Sequence, residues 1–316
     1  MIIVGAKGFA KEVLEVLHQL NQLDHLVFYD DVNEDAPAFL YEKFPILRTK
    51  EAAAYYFKTV DNARISKNND KIYTSTTVAI ASKYPIKNLK KVDIDFLALK
   101  KHYYEGFFKF AREPIKATIC LEDEKELDVY VCHLKSNRDN EFEYIFTKDT
   151  TLKEKIEKTT KALKENYSLS LKQRLCEASS LFSDIKQTNK PSVLLTDLND
   201  KEFSLTIDAL SNIKYHENNL SKDEYLLLDA YHLDKKELYN PHPEFKGIKR
   251  VPTSYFAGKG NVLDYIFISS HFDKKKNNNI GKVSSYEVFN KHLEKNQNGS
   301  LLQSDHAQVV CEIEYL

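Results

Sequence analysis

Val193-Leu194-Leu195-Thr196-Asp197-Leu198-Asn199-Asp200 decides how the chain reads. Three branched aliphatic residues in succession describe a short strand buried on both faces. The polar cluster that follows marks where the strand leaves the sheet. An Asp and an Asn at such a terminus are presented to whatever cleft the strand ends share. The same arrangement recurs along the chain. His133 closes Val129-Tyr130-Val131-Cys132, Asp264 opens Tyr265-Ile266-Phe267-Ile268, and Asp305-His306 precede Ala307-Gln308-Val309-Val310. One such residue reads as a cap or a surface group; so many in one half of a chain point to a site.

Working outward, strands are predicted over 76–82, 115–121, 127–133, 193–198, 264–269 and 308–315. One long helical region is predicted over 151–188. Its second half carries Leu171, Leu175, Ala178, Phe182 and Ile185 at helical spacing, a single buried stripe. Upstream, Ile2-Ile3-Val4, the helical residues Ala10, Val13, Leu14 and Leu17, and Leu26-Val27-Phe28-Tyr29 form a βαβ beginning. Phe44–Leu47 continues it as a strand and 51–57 as a helix. Residues 59–72 read as a polar connection. Lys274-Lys275-Lys276 and the three asparagines after them read as a solvated loop or, alternatively, a phosphate-facing one.

The 316 residues allow one large domain or two unequal ones. With 42% hydrophobic and 29% charged residues, the chain is an ordinary globular one rather than a disordered or fibrous one. Its 46 basic and 47 acidic residues leave a net charge of -1, which argues against a globally basic nucleic-acid coat and leaves room for a local basic groove. Apolar runs are too short to span a membrane. Cys120, Cys132, Cys176 and Cys311 are scattered without a C-x-x-C pair, as expected of reduced, buried thiols in a cytoplasmic protein.

The chemistry these strand ends share is metal-assisted hydrolysis of a phosphoester. A carboxylate such as Asp305 suits Mg²⁺, or Mn²⁺, through oxygen ligation. Asp197 is placed to orient or deprotonate water, and Asn199 to donate to a non-bridging oxygen. His306 paired with Asp264 is held in one tautomer, suited to proton transfer or transition-state stabilisation, with His133 a second imidazole. Lys135, Arg138 and Tyr255, with the Lys274–Lys276 run, are the expected phosphate contacts. A nucleic acid, a small phosphoester and a lipid headgroup all remain open as substrate, as does the oligomeric state.

Four motifs in this order, His133-Leu134-Lys135-Ser136, Leu194–Asp200, Leu263-Asp264-Tyr265-Ile266 and Ser304-Asp305-His306-Ala307, resemble the endonuclease/exonuclease/phosphatase superfamily. Val78–Ile86 and Arg112-Glu113-Pro114 share the likeness, which covers about 70–316. It implies a deoxyribonuclease I-like, four-layer α/β sandwich and a Mg²⁺-dependent phosphodiesterase. Thr196 and Leu198 stand where the family usually has Gly and Phe. The family's upstream metal-site Asn and Glu, and the βαβ unit that carries them, have no counterpart here.

Residues 1–62 instead read as a short Rossmann-like βαβ leader. They are similar to the nucleotide-sugar-binding domain of sialic-acid-type sugar O-acyltransferases, without that family's hexapeptide repeats. Gly5 and Gly8 mark a strand-to-helix turn that admits a phosphate at a helix N-terminus, or merely needs small residues. Three arrangements are open. The leader's βαβ replaces the missing unit and brings Asp31 or Asp30 to the metal; or it is a separate lobe beside an incomplete sandwich; or the chain is a recombined or truncated product. An inactive binding module is the alternative to an enzyme.

Overall fold

The computed structural model describes residues 2–4, 9–19, 23, 26–30, 37–49, 56–59, 63–65, 72–74, 78–137, 146–218, 223–234, 250–256, 259–277, 279–291, 293 and 305–316. The leader is a small sheet with its own core. Strand β1 (Ile2–Val4), helix α1 (Phe9–Gln19) and strands β2 (Val27–Tyr29), β3 (Phe39–Leu40) and β4 (Phe44–Leu47) follow one another along the chain, and the sheet order is β1-β2-β4-β3. β1 and β2 pair in parallel, as a βαβ unit requires, and β4 adds parallel to β2. Leu14 and Leu17 of α1 pack with Leu26, Phe28, Leu40, Phe44 and Ile46.

The connection to the second part holds more strand than its composition predicts. Tyr56–Thr59 (β5) is a strand where the sequence reading continues a helix, and Ala63–Ile65 (β6) and Ile72–Thr74 (β7) pair where a polar connection is expected. β5 pairs with β8 (Ala79–Ser82). The run Tyr56-Phe57-Lys58-Thr59 is short enough for helical and strand readings to coincide, and cross-strand pairing decides between them.

The larger part is built on a six-stranded mixed sheet. Its strands are β9 (Ile86–Lys91), β10 (Ile115–Cys120), β11 (Glu126–His133), β12 (Ser192–Asp197), β13 (Leu227–Asp229) and β16 (Asp264–Ser269), in the order β13-β16-β12-β11-β10-β9. β12 lies inside it, parallel to β11 and antiparallel to β16. Because successive side chains alternate between faces, β12 and β16 serve two cores at once. Leu194, Tyr265 and Phe267 face one, with Tyr130 and Cys132; Val193, Ile266 and Ile268 face the other.

The first core lies under helices α2 (Phe96–Lys101), α3 (Leu152–Lys164), α4 (Leu169–Thr188), α5 (Leu205–Ser211) and α6 (Ile213–Glu217). The predicted stripe of α4 is buried throughout, from Leu171 to Ile185. The single helical region expected over 151–188 is two helices. Thr151 caps α3 in a reciprocal box with Glu154, Asn166 turns the chain at a positive φ of 57°, and Ser168 caps α4. Asn166 and Ser168 are the sequence signal for that break.

The second core is covered by α7 (Ala230–Asp234) and by the long hairpin of β17 (Gly281–Phe289) and β18 (Gln308–Tyr315). A short hairpin, β14 (Ser254–Phe256) with β15 (Lys259–Asn261), precedes β16. Helices, a mixed sheet and a second strand layer make this an α/β sandwich, the fold class expected. β1 belongs to a different sheet from β12. Among the described residues the leader's strands therefore do not join the sheet of Val193–Leu195, so of the three arrangements left open the one in which its βαβ extends that sheet is not met there. The four cysteines are free thiols; Cys132 and Cys176 are buried. Among the described residues no helix is long and apolar enough to cross a membrane.

Candidate active site

Register assembles the site. His133 on β11 lies opposite Asp197 on β12, and Asp197 opposite Asp264 on β16, so three neighbouring strands deliver one row of polar side chains at the same edge. His133 Nε2 stands 3.1 Å from Asp197 Oδ2. Thr196, in the place of the family's usual Gly, accepts a hydrogen bond from Cys132 Sγ at 2.9 Å, and Leu198, in place of Phe, is fully buried. Asn199 takes a left-handed φ of 50°, tolerated by Asn, and its N–H donates to Asp197 Oδ1 at 2.8 Å.

His306 arrives from a distant part of the sequence through Thr253. The Thr253 carbonyl accepts from Ala307 N at 2.6 Å, while its Oγ1 accepts from both Leu263 N and Asp264 N at 3.0 Å. Ser254 and His306 form a β-bridge, and Tyr255 N donates to Asp305 O at 3.3 Å. One buried threonine thereby ties the strand bearing Asp264 to the segment bearing His306. His306 Nδ1 lies 2.8 Å from Asp264 Oδ2. Ligand atoms of Asp197, Asp264 and His306 fall within 4.8 Å of one another.

The two imidazoles are driven apart. Burial lowers His133 to about 4; Asp197 opposes this, and the charges of Arg112 and His306 add to it. Burial also works against the charged form of His306, but the hydrogen bond and charge of Asp264, with Asp197 and Asp305, raise it to about 9. Asp197 is raised, by burial first and then by the charge of Asp264. At neutral pH the site therefore holds a neutral His133 beside Asp197 and an imidazolium His306 against Asp264. A pair of like groups tuned in opposite directions is the usual signature of divided acid and base roles.

Of the other expected residues, Asp305 is exposed beside His306, and Tyr255 stands on β14 one residue beyond the bridge to His306. Lys135 follows His133 on the loop after β11. Arg138, Asp31, Gly5 and Gly8 lie outside the described residues. Asp30 is buried within the leader, where its N–H donates to Leu47 O at 3.0 Å.

Two residues without a role in the sequence reading prove central. Arg112, quoted there only within Arg112-Glu113-Pro114, donates from Nη1 to Leu134 O at 2.9 Å and from Nη2 to Ser136 Oγ at 3.2 Å, and its charge acts on His133. Asn199 Nδ2 donates to the same Leu134 carbonyl at 3.1 Å. Thr253 is the second. Its signal is a lone Thr shortly before an Asp-bearing strand, which no spacing rule distinguishes from a surface threonine.

No curated protein matches the chain. Residues 1–72 match the PglD N-terminal domain family, in the segment whose sequence resembles sugar acyltransferases. Solved structures similar to the chain include the human Nocturnin catalytic domain with bound sulfate, at 13% identity and a TM-score of 0.45, over 84% of this chain and 74% of that one. D. rerio TDP2 complexed with a single-strand DNA product is similar at 11% identity and a TM-score of 0.45, over 96% and 90%. An endonuclease/exonuclease/phosphatase family protein from Bacteroides thetaiotaomicron is similar at 12% identity and a TM-score of 0.41, over 98% and 95%. Structures similar to this chain thus include an endonuclease/exonuclease/phosphatase family protein, and its leader is similar to the PglD N-terminal domain.

Proposed function

We propose that the part spanning about 70–316 hydrolyses phosphoester bonds with a divalent cation. The observation that carries this reading is the row of His133, Asp197 and Asp264 on three paired strands, with His306 Nδ1 2.8 Å from Asp264 Oδ2 and the ligand atoms of Asp197, Asp264 and His306 within 4.8 Å of one another. A cationic His306, oriented by Asp264, stabilises charge developing on a phosphoryl oxygen and supplies a proton to a departing oxygen. Asp197 accepts the proton of an attacking water, its burial making it a stronger base than an exposed carboxylate. One Nδ2 hydrogen of Asn199 goes to Leu134 O, and the second is the donor we assign to a phosphoryl oxygen.

The carboxylates at these strand ends are hard oxygen donors, a set that suits Mg²⁺ or Mn²⁺ better than a thiolate-preferring ion. We assign Asp305, an exposed carboxylate beside His306, as the metal carboxylate. A divalent cation held by Asp305 would supply neutralisation of phosphoryl charge. Asp31 is the second carboxylate we would test. Lys135, Arg138 and Tyr255 are the proposed phosphate contacts, with a nucleic-acid or smaller phosphoester substrate.

Hydrolysis of bis(p-nitrophenyl) phosphate and of plasmid DNA with Mg²⁺, comparing the native chain with Asp197→Ala and His306→Ala, tests this. Both variants are expected to lose the activity. Equal rates in all three proteins would mean an inactive binding module instead.

A further inference from the structure

Glu177 lies midway along α4 with its side chain buried beneath the candidate site. Its Oε1 accepts from Ala111 N at 2.7 Å and Gln173 Nε2 at 3.1 Å, and its Oε2 from Lys135 N at 2.7 Å. One turn earlier, Arg174 Nη1 donates to the Lys135 carbonyl at 3.2 Å, and its Nε stands 3.5 Å from Asp200 Oδ2. Spacing of i and i+3 places both on one face of the helix.

Lys135 is thus held at its N–H by a carboxylate and at its C=O by a guanidinium. The same two side chains reach Ala111, next to Arg112, and Asp200, next to Asn199. Those three segments already meet at the Leu134 carbonyl, which accepts from Arg112 and Asn199. Holding a carboxylate here is costly: burial raises Glu177 to about 7 even though the Ala111 and Lys135 amides, Gln173 and Arg174 all favour its charged form. An apolar side chain would fill the same volume without that penalty. What it would not do is bind two backbone N–H groups from separate loops at once.

We infer that Glu177 and Arg174 are positioning residues: together they fix the backbone carrying Arg112, Lys135 and Asn199 in the arrangement that receives a phosphoryl group. This rests on the phosphoester reading above. Catalysis tolerates little displacement, since about 1 Å of misplacement costs on the order of a hundred-fold in rate.

Glu177→Gln is the decisive variant. It keeps the volume but sets an amide NH₂ against one of the two backbone N–H donors. The expected result is a loss of about ten-fold in kcat on bis(p-nitrophenyl) phosphate with the melting temperature still far above the assay temperature. Amide hydrogen exchange of Ala111 and Lys135 should accelerate about ten-fold while the β12 amides stay protected. A folded variant with native kcat, or with both amides as protected as before, overturns the inference. Should Glu177→Gln fail to fold, Arg174→Lys tests the carbonyl side of the same peptide, and an unchanged kcat overturns it equally. If the native chain is no faster than Asp197→Ala, the phosphoester reading fails. Exchange at Ala111 and Lys135 then decides alone whether Glu177 holds the two loops.

Discussion

Replacing Asp264 by Asn isolates the interaction on which the site's charge balance depends. Asp264 holds His306 at 2.8 Å and raises it from 6.5 to about 9 against the opposing effect of burial. At 1.36 kcal/mol per unit, that shift corresponds to about 3 kcal/mol favouring the protonated folded state. The folded value exceeds the unfolded one, so this stabilisation is fully present below about pH 6.5 and is lost as pH rises through about 9. In Asp264→Asn, His306 should titrate at or below its ordinary value, because burial then meets only the charges of Asp197 and Asp305. Asp197 should titrate lower, relieved of its neighbour's charge. Urea unfolding of the metal-free protein should show the variant up to about 3 kcal/mol less stable at pH 6, narrowing by pH 10 to about 1 kcal/mol for the neutral hydrogen bond. Proton NMR of the His306 ring gives the titration directly. A value still near 9 in the variant, or a stability difference that does not change with pH, would refute the reasoning.

Two further outcomes follow from packing. Arg250 is fully buried and donates to Glu202 Oε1 at 2.9 Å and Asp229 Oδ2 at 2.7 Å, among the rings of Tyr231, Tyr265 and Tyr286. Arg250→Met should cost about 3–5 kcal/mol in urea unfolding by removing the buried cation that Glu202 and Asp229 share, and adding Glu202→Gln with Asp229→Asn should recover part of it. Thr151→Ala, which removes the reciprocal cap of α3, should cost about 1 kcal/mol and raise exchange first in that helix's opening turn.

The sandwich core was legible because its strands are apolar runs with polar punctuation and α4 carries a clean stripe. Val193–Leu195 and Asp264–Ser269 needed no partner to be recognised. β9 and β17 were not legible: Ile86–Lys91 is mostly lysine and asparagine, an exposed edge strand, and β17 mixes serines among its apolar residues. Their strand character comes from pairing rather than composition. In the site, the residues at strand ends were found because chemistry and position coincide there. Glu177 and Thr253 were not, because each acts through backbone amides of segments remote in sequence. The leader's separate sheet likewise depends on pairing between β1 and β2, which the βαβ pattern shows locally without saying which larger sheet it joins.

Placing His133, Asp197 and Asp264 on three adjacent strands has a consequence for how the chain acquires chemistry at all. A slip of one residue between β12 and β16 turns every side chain of one strand to the opposite face, so Asp264 would leave the row and the two hydrophobic cores would exchange contents. The pairing that creates the row is the same pairing that sorts Val193 from Leu194. A chain competent in chemistry is therefore a chain correctly in register, and hydrolytic competence would be a readout of folding fidelity.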